Sequence, residues 1–81
     1  MSNNKIYKVG EIYYKLDSIQ SISELNIGDN CGYGKINGIK VEWHIGYKHY
    51  KPEHQDEVIN KHPLVKEYRT LLKAFKEQNN D

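Results

Sequence analysis

Residues 31–45 read CGYGKINGIKVEWHI, and the Asn37-Gly38 pair at their middle decides how the rest of the chain is organised. Asn-Gly tolerates the positive φ angles of a type I′ turn, whose twist suits the strands of a two-residue hairpin. The sequence therefore predicts strands over 31–36 and 39–45, with Ile36 opposite Ile39, Lys35 opposite Lys40, Gly34 opposite Val41, Tyr33 opposite Glu42 and Gly32 opposite Trp43. Opposed residues share a face and successive residues alternate. Ile36, Ile39, Val41, Trp43 and Ile45 then form an apolar face, while Tyr33, Lys35, Lys40, Glu42 and His44 form a polar one. Gly32 and Gly34 lie on the apolar face, and their missing side chains leave room for Trp43 to lie inward as a core plate.

Upstream, IYKVGEIYYKLDSI (6–19) holds two runs rich in isoleucine, valine and tyrosine around Gly10-Glu11. It reads as a hairpin, or as a lead-in to one longer strand from Ile12 to Ile19, with Ile12, Tyr14 and Leu16 on the more apolar side. Ser21 and Glu24 have capping-box spacing, which predicts one helical turn over 22–25. LNIGDN (25–30) reads as a turn feeding the next strand. Downstream, Pro52 starts a short helix over 53–60 with Val58 and Ile59 as its apolar contact. Pro63 starts a longer one, on which Leu64, Tyr68, Leu71, Leu72 and Phe75 make an amphipathic stripe.

These elements predict a single α+β domain over 1–81, with polar frayed ends at about 1–4 and 78–81. Its form is a small twisted antiparallel sheet, or an open SH3-like barrel, packed against a C-terminal amphipathic helix. Over residues 5–50 the succession of turn, strand, tight hairpin and strand looks like an SH3-like or small-barrel domain. That likeness is architectural and implies no ligand. A chain of 81 residues has a thin core, so several of its tyrosines belong inside.

There are 12 basic and 11 acidic residues, a formal net charge of +1, which supplies no field strong enough to steer DNA or an anionic membrane. No apolar run reaches the roughly 18 residues a membrane span needs, and MSNNKIYK has no apolar core of a signal peptide. One cysteine rules out an internal disulfide. The expectation is a cytoplasmic protein with no membrane contact.

The glycines do not follow the spacing of a dinucleotide fingerprint or a phosphate loop and are turn and packing residues. Cys31, His44 and His49 resemble the last three ligands of a Cys2His2 zinc finger, with His54 or His62 as a fourth. The first cysteine is absent and the hairpin occupies the interval where the finger's helix belongs. Cys31 with a histidine and Asp29 or Glu42 also supplies the ingredients of a thiol nucleophile without its geometry. Glu53, Asp56 and Glu57 are explained by the positive start of a helix. No catalytic residue, metal or cofactor is expected, and the chain is read as a non-enzyme.

Positive charge and aromatic rings cluster on the hairpin's polar face and at its exit, YKHYK (47–51). Tyrosines Tyr13, Tyr33, Tyr47 and Tyr50 exceed what a core of this size absorbs. The leading expectation is a protein-binding module, a regulator or inhibitor that acts by steric occupancy of a larger intracellular protein. Its contact residues are Tyr33, Lys35, Lys40, Glu42, His44, Tyr47, Lys48, Tyr50 and Lys51. The alternative is nucleic-acid binding, preferentially single-stranded, with lysines on phosphates and tyrosines stacked on bases. A third reading is a structural or self-associating protein that forms a homodimer through the same surface.

Overall fold

In the computed structural model, which describes residues 5–78, the chain runs β1 (Ile6–Val9), β2 (Ile12–Lys15), β3 (Asn26–Gly28), β4 (Cys31–Ile36), β5 (Ile39–His44), α1 (Pro52–Lys61) and α2 (Pro63–Gln78). β1 and β2 form one antiparallel sheet, and β3, β4 and β5 form a second in that spatial order. The fold is α+β, with both small sheets packed against the C-terminal helices. The two sheets share no ladder, so the barrel form of the expectation is not realised. The outermost expected frays, 1–4 and 79–81, lie outside the described residues; Gln78 ends α2 as a helical residue.

Turn chemistry sets the registers. Asn37 at φ 53° and Gly38 at φ 80° form the type I′ turn, and every expected β4–β5 pair from Ile36↔Ile39 to Gly32↔Trp43 is present. A second I′ turn joins β3 to β4: Asp29 (φ 51°) and Asn30 (φ 64°) connect the pair Gly28↔Cys31. LNIGDN is therefore half strand, because Asp-Asn tolerates the left-handed conformation well enough to close a hairpin without glycine. Val9↔Ile12 closes the first hairpin, resolving the choice between hairpin and long strand.

The helical turn expected over 22–25 does not form. Ile22 bridges to Ile36, the Ser23 N–H donates to the Lys35 carbonyl at 2.9 Å and the Asn37 N–H donates to the Ser21 carbonyl at 2.7 Å. Backbone groups that a helix would use are taken by β4, which outweighs a capping motif with no amphipathic run behind it. Asn37 latches the same segment: its Oδ1 accepts from the N–H groups of Gln20 (2.7 Å) and Ser21 (3.2 Å), and its Nδ2 donates to the Ser18 carbonyl (3.2 Å).

The interior has two parts. Val9, Leu16, Ile19, Ile36, Tyr68 and Leu71 form the larger cluster; Ile45, Ile59 and Val65 form the smaller. Leu25 and Trp43 pack on both. The buried stripe of α2 is Val65, Tyr68, Leu71 and Leu72; Leu64 is only half-buried, its Cδ2 near the turn at Gly10. The stripe is rotated toward Val65 because α1 supplies Ile59 on that side, a contact that periodicity within α2 alone does not contain. Burial and the neighbouring Tyr68 raise the pKa of the Tyr14 phenol.

Two details of the expected apolar faces are corrected. Ile39 is 70% exposed although its partner Ile36 is 2% exposed, because Ile36 lies in the cluster with Leu16, Ile19, Tyr68 and Leu71 and has Ile22 paired beside it, whereas Ile39 sits on the outermost strand at the hairpin tip. Ile12 is likewise exposed. The glycines also divide their labour. A methyl at Gly32 would stand 3.0 Å from Trp43 Nε1 and 3.0 Å from Ile45 Cδ1, whereas one at Gly34 would overlap the Tyr68 hydroxyl. Gly34 thus makes room for a helix tyrosine. Trp43 is half-buried, tilted against Tyr68 with ring centroids 5.7 Å apart.

Candidate contact surface

The path of residues 23–26 creates a groove on the second sheet. Ser23 is bonded to β4 through its N–H and again through its hydroxyl, which accepts the Lys35 N–H at 2.9 Å. Asn26 returns to β4 opposite Tyr33. Between these anchors Glu24 and Leu25 swing away from the strand, Leu25 into the core. The resulting cleft of about 410 Å³ is lined by Ser23, Asn26, Tyr33, Gly34, Lys35 and Lys40. Behind Gly34 stands the fully buried Tyr68, whose hydroxyl donates to the Ser23 carbonyl at 2.7 Å. The wall of the groove is therefore pinned to α2.

Three of the expected contact residues, Tyr33, Lys35 and Lys40, meet here. Lys40 Nζ lies over the Tyr33 ring, 5.5 Å from its centroid, and 3.7 Å from the Glu42 carboxylate. Glu42 and His44 continue the same polar face along β5, both exposed. An ammonium held over a half-buried ring, beside the amide of Asn26, can hold a carboxylate or a backbone carbonyl of an incoming chain.

The exit segment, residues 47–51, lies outside the groove lining. Residues 47–49 form a short 3-10 turn, and Tyr47 packs against the Ile45–Ile59–Val65 cluster. A tyrosine read as surplus thus completes the smaller core. The Lys48 N–H donates to Asn30 Oδ1 at 2.6 Å, and its ammonium lies 3.6 Å from Asp29, so this segment clamps the β3–β4 turn. Lys51 precedes α1 as its cap residue and its carbonyl accepts the His54 N–H at 2.8 Å. Tyr50 is 53% exposed and Tyr13, on the other sheet, 69%; both lie outside the groove lining.

Cys31 and His44 are cross-strand partners, and the rings of His44 and His49 both approach Gly46. Even so, among the described residues no three His, Cys, Asp or Glu side chains converge as a metal site. Cys31, His44 and His49, the weak zinc candidates of the sequence, are not gathered into such a group. Among the described residues no helix is long and apolar enough to cross a membrane.

Ser23 and Asn26 were not foreseen as part of the surface. Their role comes from where a loop leaves a strand, and polar loop residues carry no signal of it in sequence. A second cleft of about 320 Å³, lined by Ile6, Tyr7, Lys8, Lys66, Glu67 and Thr70, has its carboxylate already engaged. Glu67 accepts the Gly10 N–H at 2.9 Å and pairs with Lys8 at 3.2 Å. The Gly10 bond, aided by Lys8, holds its pKa below the usual carboxylate range against a smaller opposing effect of burial. In comparisons with protein-family models, with curated proteins and with solved structures, nothing matches this chain.

Proposed function

We propose that this chain is a small non-enzymatic protein-binding module that acts by steric occupancy, using the groove beside β4. The observation that carries the reading is the convergence of Tyr33, Lys35 and Lys40 with Ser23 and Asn26 around one cleft. The cleft is backed by a tyrosine of α2 that hydrogen-bonds its wall. Pinned walls keep the cleft open without a ligand, and pre-organisation of this kind lowers the ordering cost of binding. Aromatic and cationic groups beside backbone-rich walls suit an extended, carboxylate-bearing protein segment.

Single-stranded nucleic acid is the weaker reading. The exposed charge of Lys40 is shared with Glu42 and its ammonium covers the Tyr33 ring, so the base-stacking face and the phosphate contact compete with bonds already made. Lys48 is paired with Asp29 and Lys76 with Glu24. Co-purification of tagged protein from its native cells, wild type beside Tyr33→Ala and Lys35→Glu, tests the proposal. The expected result is a protein partner lost with both variants. Recovery of oligonucleotide alone, released steeply by salt, would reverse the order of the two readings.

A further inference from the structure

β5 is the outermost strand of its sheet. In a two-residue hairpin the closing pair Ile36↔Ile39 exchanges hydrogen bonds, and bonded and non-bonded pairs then alternate. Val41 and Trp43 therefore turn their backbone groups toward β4, and Lys40, Glu42 and His44 turn theirs outward. The same alternation places the backbone of Lys35 on the far side of β4, where Ser23 meets it. Among the described residues no hydrogen bond reaches the outward N–H and C=O groups of Lys40, Glu42 and His44. Ile39 stands 70% exposed at the head of this edge. An unpaired, six-residue edge is a template for another strand, and proteins ordinarily blunt such edges.

We propose that this edge pairs with β5 of a second copy of the chain, antiparallel about a two-fold axis at Val41. The side chains select both occupant and register. With Val41 opposite Val41 of the other copy, each Lys40 lies directly opposite a Glu42, and both Lys40–Glu42 pairs exchange their outward N–H and C=O groups. On the other face each Ile39 is brought opposite the other copy's half-buried Trp43, which covers the exposed isoleucine. A two-residue slip in one direction sets Lys40 against Lys40, and in the other Glu42 against Glu42, and like charges directly opposed are unfavourable. A formal net charge of +1 raises no long-range barrier between copies. The product is a closed, isologous dimer with a continuous six-stranded sheet, β3-β4-β5 followed by its two-fold copy. One short edge is small beside the roughly 1,200–2,000 Å² of a stable complex, so the dimer belongs to the weak, concentration-dependent class. This goes beyond the groove reading and stands independently of what fills the groove.

Sedimentation equilibrium of the full chain from micromolar to millimolar concentration, with K40E, E42K and their equimolar mixture, tests the pairing. The wild type is expected to pass from monomer to dimer. Each single variant opposes like charges at both pairs and weakens self-association by about tenfold or more. The mixture restores it, since each K40E chain then faces an E42K chain with opposite charges at both pairs. Both side chains are more than half exposed (59% and 52%), and an unchanged thermal unfolding midpoint by circular dichroism at a dilution where the chains are monomeric checks that the variants stay folded. A chain that remains monomeric throughout overturns the proposal and leaves the edge to a strand of another protein. A dimer indifferent to K40E and E42K, or not rescued by mixing, overturns the register. Lys40 belongs to both surfaces, but Glu42 lies outside the groove lining and Ser23 and Asn26 lie off the outer edge, so E42K reads the dimer alone, Asn26→Ala reads the groove alone, and loss of a partner and loss of the dimer are distinguished.

Discussion

Gly34→Ala is the most informative single change, because it sets a strand against the helix that covers it. A methyl at this position would overlap the Tyr68 hydroxyl and crowd its ring. Tyr68 has no room to retreat: it is 0% exposed, and its hydroxyl is tied to the Ser23 carbonyl at 2.7 Å. Overpacking of a closed site costs about 1–3 kcal/mol. Tyr68→Phe removes the hydroxyl and leaves the Ser23 carbonyl short of a donor, a loss of about 1–3 kcal/mol. For an 81-residue chain whose total stability is of order 4–12 kcal/mol, either change is large. Each kcal/mol lowers Tm by about 4–8 °C in a domain of this size. The double variant is expected to be less destabilised than the sum, by about 1 kcal/mol, since the phenylalanine ring is no longer tethered and can yield to the methyl. Thermal and urea denaturation followed by the emission of Trp43, which packs on Tyr68, measures all three. Additive losses, or a Gly34→Ala protein as stable as the wild type, would refute the placement of Tyr68 against β4.

Changes at three further positions isolate other contacts. Asn37→Gly keeps the left-handed turn but removes the side-chain bonds to Gln20, Ser21 and Ser18, with an expected loss of about 1–2 kcal/mol in urea unfolding. Asn37→Ala should cost roughly a further 1–2 kcal/mol for a Cβ residue at positive φ. Glu67→Gln tests the latch between the β1–β2 turn and α2. Because the folded pKa of Glu67 is lowered, chiefly by the Gly10 N–H, its stabilisation is present above the ordinary glutamate range and fades as pH falls through the folded value. The Tm gap between wild type and variant should therefore be widest at neutral pH and close in acid. Gly32→Ala pushes a methyl to 3.0 Å from the indole of Trp43; a red-shifted emission with a loss of about 1–2 kcal/mol is expected.

Much of the second sheet was legible from short-range chemistry. Asn37-Gly38 specified a turn type, the turn type specified the register, and the register sorted Tyr33, Lys35 and Lys40 onto one face. Two misreadings share a cause. Ser21–Glu24 has the spacing of a helix start, and Asn26–Gly28 lies inside a stretch dense in turn formers, yet the edge of β4 away from β5 needed partners along its length. The hairpin pairing Asn26↔Tyr33 and the more distant bridge Ile22↔Ile36 satisfied it. The groove followed from that competition, since it lies between the two anchors where the chain leaves the strand.

Tyrosine placement shows the boundary most plainly. Sequence alone determined how many tyrosines there are and that Tyr33 shares a strand face with Lys35 and Lys40, because alternation is a property of the backbone. Which of them complete the interior was decided only when α1 and α2 came to rest on the sheets: Tyr68 entered the space above Gly34, and Tyr47 closed over Ile59 and Val65. Tyr13 and Tyr50 were left in solvent. A tyrosine gains by burying its ring and by keeping its hydroxyl bonded, and whether one site offers both depends on residues distant in the chain. Ser23 offered Tyr68 that bond from 45 residues away, a meeting that no local pattern encodes.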